Sequence, residues 1–144
     1  MRTSIVIVVA GAVAVVLAGC AALFGGDRSA DERFTRPENP RTSPSGQFVT
    51  RVELGPEQNR VPTWIVVITD RAGREVFRDR DAYSSRHGVG ITWLSGKDEL
   101  WLLSSDVGTS YMAQDAEGTW HKEHPRPGHF DQDVPAEIRE LAGR

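Results

Sequence analysis

Thr63 to Thr69 reads Thr-Trp-Ile-Val-Val-Ile-Thr, with a β-branched or aromatic side chain at every position. Such side chains are stiff about χ1 and pack well on a pleated surface, so the run predicts a strand. Alternation sends Trp64, Val66 and Ile68 to one face and Ile65 and Val67 to the other, which leaves both faces apolar. Leu100 to Leu103 repeats the pattern, with Trp101 and Leu103 opposed to Leu100 and Leu102. A sheet with one wet face alternates apolar with polar, so these strands need cover on both sides. Curling of the sheet, a second layer or a partner must supply it.

The flanking segments are short runs separated by turn chemistry. Phe48, Thr50, Val52 and Leu54 alternate with Val49, Arg51 and Glu53, and Gly55-Pro56 is expected to stop that strand. Asp70-Arg71-Ala72-Gly73 turns the chain into a return strand, Arg74 to Arg78. Ser95-Gly96-Lys97-Asp98 joins Val89–Leu94 to Glu99–Ser104, and Ala116-Glu117-Gly118 joins Thr109–Asp115 to Thr119–Glu123. The fold class is therefore mainly β. Residues 47–124 are expected to form a small antiparallel meander of about five to seven strands, curled or closed as a barrel or sandwich.

Residues 125–144 read as a proline-rich turn and a short C-terminal helix. From Asp133-Val134-Pro135 onward, Val134, Ile138 and Leu141 share a helical face, with Gly143 as the stop. About two turns do not hold alone, so this helix forms only by docking on an apolar face. Trp64, Trp93, Trp101 and Trp120 are expected in the core of a domain that has no disulfide. An aromatic ligand platform is their alternative use.

Residues 1–19 have the anatomy of a secretory signal peptide: an early charge at Arg2, an apolar helical core from Ile5 to Leu17, then small residues. The competing reading is an uncleaved transmembrane anchor, because Ile5 to Phe24 offers roughly the 20 apolar residues that a span requires. Leu17-Ala18-Gly19-Cys20 resembles the lipobox of bacterial lipoproteins. That resemblance implies cleavage between Gly19 and Cys20 and a thioether-linked diacylglycerol on Cys20; no other cofactor is expected, since no phosphate-binding loop, dinucleotide fingerprint or cysteine pair occurs. It also implies residence at the extracytoplasmic face of the cell membrane, or at an outer membrane where the cell has one. Two acyl chains anchor stably where one binds marginally. Cys20 is the chain's single cysteine, so no disulfide forms within it. Residues 20–46, with Gly25-Gly26 and prolines 37, 40 and 44, read as a tether that holds the domain off the headgroups. Without residues 1–19 the 17 basic side chains become 16 against 20 acidic, a formal balance of −4. Mild, dispersed acidity argues against nucleic acid as a partner and against a polybasic membrane-binding surface.

Ser43-Pro44-Ser45-Gly46-Gln47-Phe48 is similar to the Ser-Pro-Asp-Gly-Arg-Tyr opening of blades in TolB-like propeller repeats. Ile91-Thr92-Trp93-Leu94, a turn, and Asp98-Glu99-Leu100-Trp101 resemble the middle of such a blade. Ser45 stands where the repeat carries aspartate, and the chain has room for at most one or two units against the four or more of a closed ring. The resemblance thus implies hairpin-rich strands rather than a propeller.

Residue clusters with catalytic or ligating character are few. His121-x-x-His124, followed by His129, Asp131 and Asp133, has metal-ligand chemistry, but strand alternation sets 121 and 124 on opposite sides, and no metal is assigned. His87 and Ser104-Ser105-Asp106 contain the components of a nucleophilic triad without the Gly-x-Ser-x-Gly elbow. Ser105-Asp106-Val107-Gly108 is read instead as a turn in which Asp106 bonds local amides. No catalytic residue is assigned. The loop Arg80 to His87, with Tyr83, Arg86 and His87 among small polar residues, is the candidate contact surface. The leading expectation is a membrane-anchored extracytoplasmic lipoprotein whose β-domain binds another envelope protein or serves as an accessory subunit. A small-ligand-binding lipoprotein with an aromatic pocket is the alternative, and a hydrolase built on His87 and Asp106 the third.

Overall fold

A computed structural model describes residues 32–143. The signal peptide, the cleavage site at Gly19 and the lipidation site at Cys20 lie outside these residues. The elements are β1 (Arg41–Thr42), β2 (Phe48–Gln58), β3 (Val61–Asp70), β4 (Glu75–Arg78), β5 (Tyr83–Ser84), a 3-10 turn (Ser85–His87), β6 (Val89–Trp93), β7 (Leu100–Ser104), β8 (Gly108–Gln114) and β9 (Trp120–Glu123). Two helices follow, α1 (Phe130–Asp133) and α2 (Ala136–Ala142). Among the described residues no helix is long and apolar enough to cross a membrane.

The strands form two antiparallel sheets. Sheet one runs β1-β2-β3-β4, with β5 also paired to β3, and sheet two runs β6-β7-β8-β9. The fold is thus mainly β, as the strand patterns predict, and the two-residue strands β1 and β5 carry the count to nine. Asp70 and Asp115 close their hairpins identically. Each Oδ1 accepts two amides across the turn, from Ala72 and Arg74 in one case and from Glu117 and Thr119 in the other.

The main core lies between the sheets. Val52, Val66, Ile68 and Tyr83 from sheet one meet Val89, Ile91, Trp93, Leu100, Leu102, Met112 and Trp120 from sheet two. Fully burying each large apolar side chain contributes about 1.5–3 kcal/mol. Trp93, Trp101 and Trp120 are buried as expected, whereas Trp64 is only partly covered. Trp120 stands edge-on to Phe48 and to Trp93, with ring centroids 5.0 and 6.0 Å away.

Each sheet also covers its outer face. On sheet two, Trp101 forms a second core with Val134 and Ile138, and Leu103, Tyr111 and Leu141 pack around it. Helix α2 therefore docks through Ile138 and Leu141, whereas Val134 reaches the same core from the extended residue before Pro135, outside the helix the sequence predicts for it. On sheet one, Val67 is fully buried, and its cross-strand partners are Arg51 and Arg78. Arg51 bonds Glu53, and Arg78 bonds both Glu53 and Glu75, each at 2.9 Å, so an ionic lattice lies over Val67. Arginine stems bury their methylenes while the charged heads stay in water.

Two expectations are corrected. Gly55-Pro56 does not end the second strand; β2 continues to Gln58 through a register shift. The bulge tolerates the missing proline amide, and a Cβ at position 55 would lie 2.6 Å from Thr63 Oγ1. The reversal occurs at Asn59 and Arg60, both with positive φ, as a tight hairpin requires. The second correction concerns the tether. Residues 32–46 are not a spacer but lie against the domain: Thr35 is fully buried and its amide donates to Ile91 O at 2.7 Å, while β1 pairs with β2. This arm covers an edge of β6 that would otherwise offer unpaired carbonyls to other strands. Glu137 on α2 fastens it, accepting from Arg33 at 2.9 Å and from the Ser95 hydroxyl at 2.8 Å. Partial burial works against the Glu137 carboxylate, but the Ser95 and Arg33 donors outweigh it and hold its pKa below the ordinary value.

Candidate functional site

The loop Arg80 to His87 does not act as one surface, because its two ends serve different parts of the molecule. Its first half belongs to a buried ionic cluster. The Asp79 amide donates to Val66 O at 2.9 Å, which seats Asp79 on the edge of β3 between β4 and β5. Tyr83 is fully buried rather than exposed in the loop, and its hydroxyl donates to Asp79 Oδ2 at 2.5 Å. Lys122 arrives from β9 and donates to both Asp79 oxygens at 3.1 and 3.0 Å, to Asp81 Oδ2 at 2.6 Å and to the Tyr83 oxygen at 2.5 Å. Burial, then the bond to Asp79, pushes the Tyr83 hydroxyl far above the usual phenol range, so it stays protonated.

Beside this cluster lies a cavity of about 410 Å³ lined by Phe77, Arg80, Trp120 and His121 among others. The ammonium of Lys122 has three protons for four oxygen neighbours, and each Asp79 oxygen already accepts from two donors. Asp79, Lys122 and Tyr83 are thus committed to one another, with Asp81 at the exposed rim. The cluster's bonds join residues of β9 to the β4–β5 connection and so fix how the two sheets meet.

The second half of the loop opens onto a groove. Arg86 and His87 lie exposed in the 3-10 turn, and the His87 carbonyl accepts from the Ser105 hydroxyl at 2.7 Å. His87 lines a cavity of about 460 Å³ together with Phe34, Arg36, Leu103, Thr109 and Leu141. Leu103 and Thr109 are cross-strand partners on the outer face of sheet two, where Leu103 meets the edge of the second core and Leu141 of α2 forms the adjoining wall. The arm forms the opposite wall. Phe34 lies on the bare backbone of Gly90, where a Cβ would come within 2.9 Å of its ring. Arg36 donates from Nη1 to Val89 O at 2.8 Å, and its guanidinium carbon lies 5.3 Å from the Phe34 ring centroid and 5.6 Å from that of Trp64. These cation–π contacts hold the head in one place. No Asp or Glu lines the groove, and among the described residues Arg36 forms no ion pair.

The remaining candidates resolve into turns and pairs. His121 Nε2 lies 2.7 Å from Asp115 Oδ2, and His129 Nδ1 lies 2.7 Å from Gln132 Oε1. Asp133 is taken by Arg126 and Asp131 faces Arg139, so the histidine-rich segment does not converge on one point. In the Ser104–Gly108 turn the acceptor is not Asp106: Ser104 Oγ takes the amides of Asp106 and Val107. Ser45 bonds Asp98 through both its amide and its hydroxyl, which ties the arm's end to the β6–β7 hairpin.

Sequence reasoning missed Phe34 and Arg36 because Pro37 and Pro40 gave their segment the character of a linker. An aromatic and a basic residue flanking Thr35, and a glycine inside the apolar strand Val89–Trp93, were the available signals. No protein-family model matches the chain, and neither the curated proteins nor the solved structures contain a match to it.

Proposed function

We propose that this chain is a lipid-anchored extracytoplasmic protein whose β-domain is a binding module for another component of the cell envelope. The single observation that carries the anchor is Leu17-Ala18-Gly19-Cys20 at the end of an apolar run, with the one cysteine of the chain in the position that is lipidated. Residue 32 already belongs to the folded domain, so the stretch between Cys20 and the domain is much shorter than its composition suggests. At about 3.3–3.6 Å per residue, its full extension reaches roughly 40 Å. A domain held on so short a leash works on partners close to the bilayer. The open groove beside Arg36 is the surface that supports a binding role, with one apolar wall and a cation that forms no ion pair among the described residues.

The test is the intact mass and membrane partition of the wild type and Cys20→Ser. The wild type is expected to lose residues 1–19, gain the mass of a diacylglycerol and stay with the membrane fraction. Cys20→Ser is expected to keep its leader and carry no lipid. Identical masses apart from the substituted atom, with the leader retained in both, would replace the lipid by a transmembrane anchor.

A further inference from the structure

We propose that the groove beside Arg36 is a carboxylate-binding site that takes an apolar residue bearing a free carboxyl group. This specifies the ligand chemistry of the binding module proposed above; it rests on that reading of the domain and not on the lipid.

Arg36 is half-buried and gives one donor to Val89 O. A guanidinium has five donors in a rigid fork that matches a carboxylate. The two aromatic rings fix the head before any ligand arrives, so little side-chain entropy remains to be lost on binding. The lining contains no acidic side chain to compete for that fork. Phe34, Leu103 and Leu141 make one side of the groove apolar, facing a polar side of His87, Ser104, Ser105 and Thr109, and the apolar side calls for an apolar group next to the carboxylate. A cavity of about 460 Å³ has room for one branched aliphatic residue and its neighbour. A guanidinium fork also matches phosphate, so the apolar wall is what favours an organic carboxylate, and inorganic phosphate is the competing probe. The carboxylate has two possible sources, a free small acid or a peptide C-terminus, and the probes below separate them.

The experiment is isothermal titration of the full chain in a neutral maltoside detergent. The probes are N-acetyl-leucine, acetyl-Ala-Gly-Val-Leu with a free C-terminus, the amide of each, and inorganic phosphate. The free acids are expected to bind, and amidation to weaken binding about tenfold or more, in keeping with loss of a charge-assisted hydrogen bond. A tetrapeptide that binds more tightly than N-acetyl-leucine identifies a peptide terminus, and equal affinities identify a small acid.

Arg36→Gln should reproduce the effect of amidation. Because that change also removes packing on Phe34 and Trp64, Thr109→Glu serves as the second variant: it places a carboxylate in the groove and should abolish binding at an unchanged Tm. Repeating the titration with Cys20→Ser separates this site from the anchor, since binding is expected to persist when lipidation is lost. Equal affinity for acid and amide, binding of phosphate alone, no binding by any probe, or unaltered binding in the Thr109→Glu variant would each overturn the assignment.

Discussion

The two sheets solve the same problem in different materials. Both contain a central strand that is apolar on both faces, and both bury their inner faces against each other. Sheet two covers its outer face with Ile138 of α2 and with Val134 just before the helix, both packed on Trp101. Sheet one covers Val67 with the Arg51, Glu53, Glu75 and Arg78 lattice. An apolar stripe therefore requires exclusion of water but does not specify by what. A helix excludes water through packed volume, whereas an ionic lattice does so through aliphatic stems whose charges stay solvated. The first route should fail abruptly on truncation and the second only gradually.

Trp101→Ala is the most severe way to break this comparison. The indole is buried, stacks on Tyr111 at 4.8 Å and donates to Glu99 Oε1 at 2.9 Å. Its loss is expected to cost about 3–5 kcal/mol, read as a drop in the denaturation midpoint, and to release α2, read as faster amide exchange over Ile138 to Leu141. A destabilisation without faster exchange in α2 would mean that the helix is held by the Glu137 contacts to Arg33 and Ser95 and not by the second core.

The joint between the sheets comes next. Lys122→Met leaves Asp79 buried beside Tyr83 with its ionic partner gone, and removing one member of a buried pair costs about 3–5 kcal/mol. Adding Asp79→Asn should restore part of that loss, because the uncompensated charge is then absent. If the double variant is no more stable than Lys122→Met alone, the cluster acts through packing of the lysine stem. The comparison would then be sharpened in favour of volume over charge at this joint as well.

On sheet one the expected effect is small. Arg78 and Glu53 are each more than a third exposed, at 41% and 34% of the side chain, so screening limits what their pairing contributes. Arg78→Ala should cost under about 1 kcal/mol, and the difference from wild type should shrink in high salt. A loss comparable to that of Trp101→Ala would show that the lattice is structural cover of the same weight as the helix.

What the sequence disclosed about these regions follows the same division. The two-sided strands, the hairpins at Asp70 and Asp115, and the docking pair Ile138 and Leu141 were legible because each depends on local periodicity or on a turn residue. The cover over Val67 was not: Arg51, Glu53 and Arg78 read as ordinary wet-face residues until β2, β3 and β4 are placed side by side. Gly55-Pro56 misled because a strand breaker and a bulge carry the same residues. The candidate groove was least legible, since Arg36, Val89 and Thr109 meet only through tertiary packing. Of its lining, His87, Ser104 and Ser105 were named in advance as polar candidates, whereas Tyr83, named with His87, is sealed in the core.

The mildest expected effect lies where the chain approaches α2. Arg126 donates to Asp133 from its guanidinium at 2.9 and 2.6 Å and from its amide at 2.8 Å, and these bonds lower the Asp133 pKa from 3.8 to about 2. A carboxyl whose folded pKa lies below its unfolded one stabilises the native state fully above the unfolded value, and that contribution fades as pH falls from about 3.8 toward 2. In an NMR titration the Asp133 carboxyl should hold its charge to the acidic end of that window, and Arg126→Ala should move its midpoint back toward 3.8. Because the pair is open to solvent, the Tm of Arg126→Ala should differ little from wild type at neutral pH. Sheet two's cover would then rest on Val134 and Ile138, with the ion pair only orienting the turn that leads to α2. A midpoint unmoved by Arg126→Ala would assign the low pKa to other donors. A large Tm loss at neutral pH would instead make charge part of the cover on sheet two as it is on sheet one.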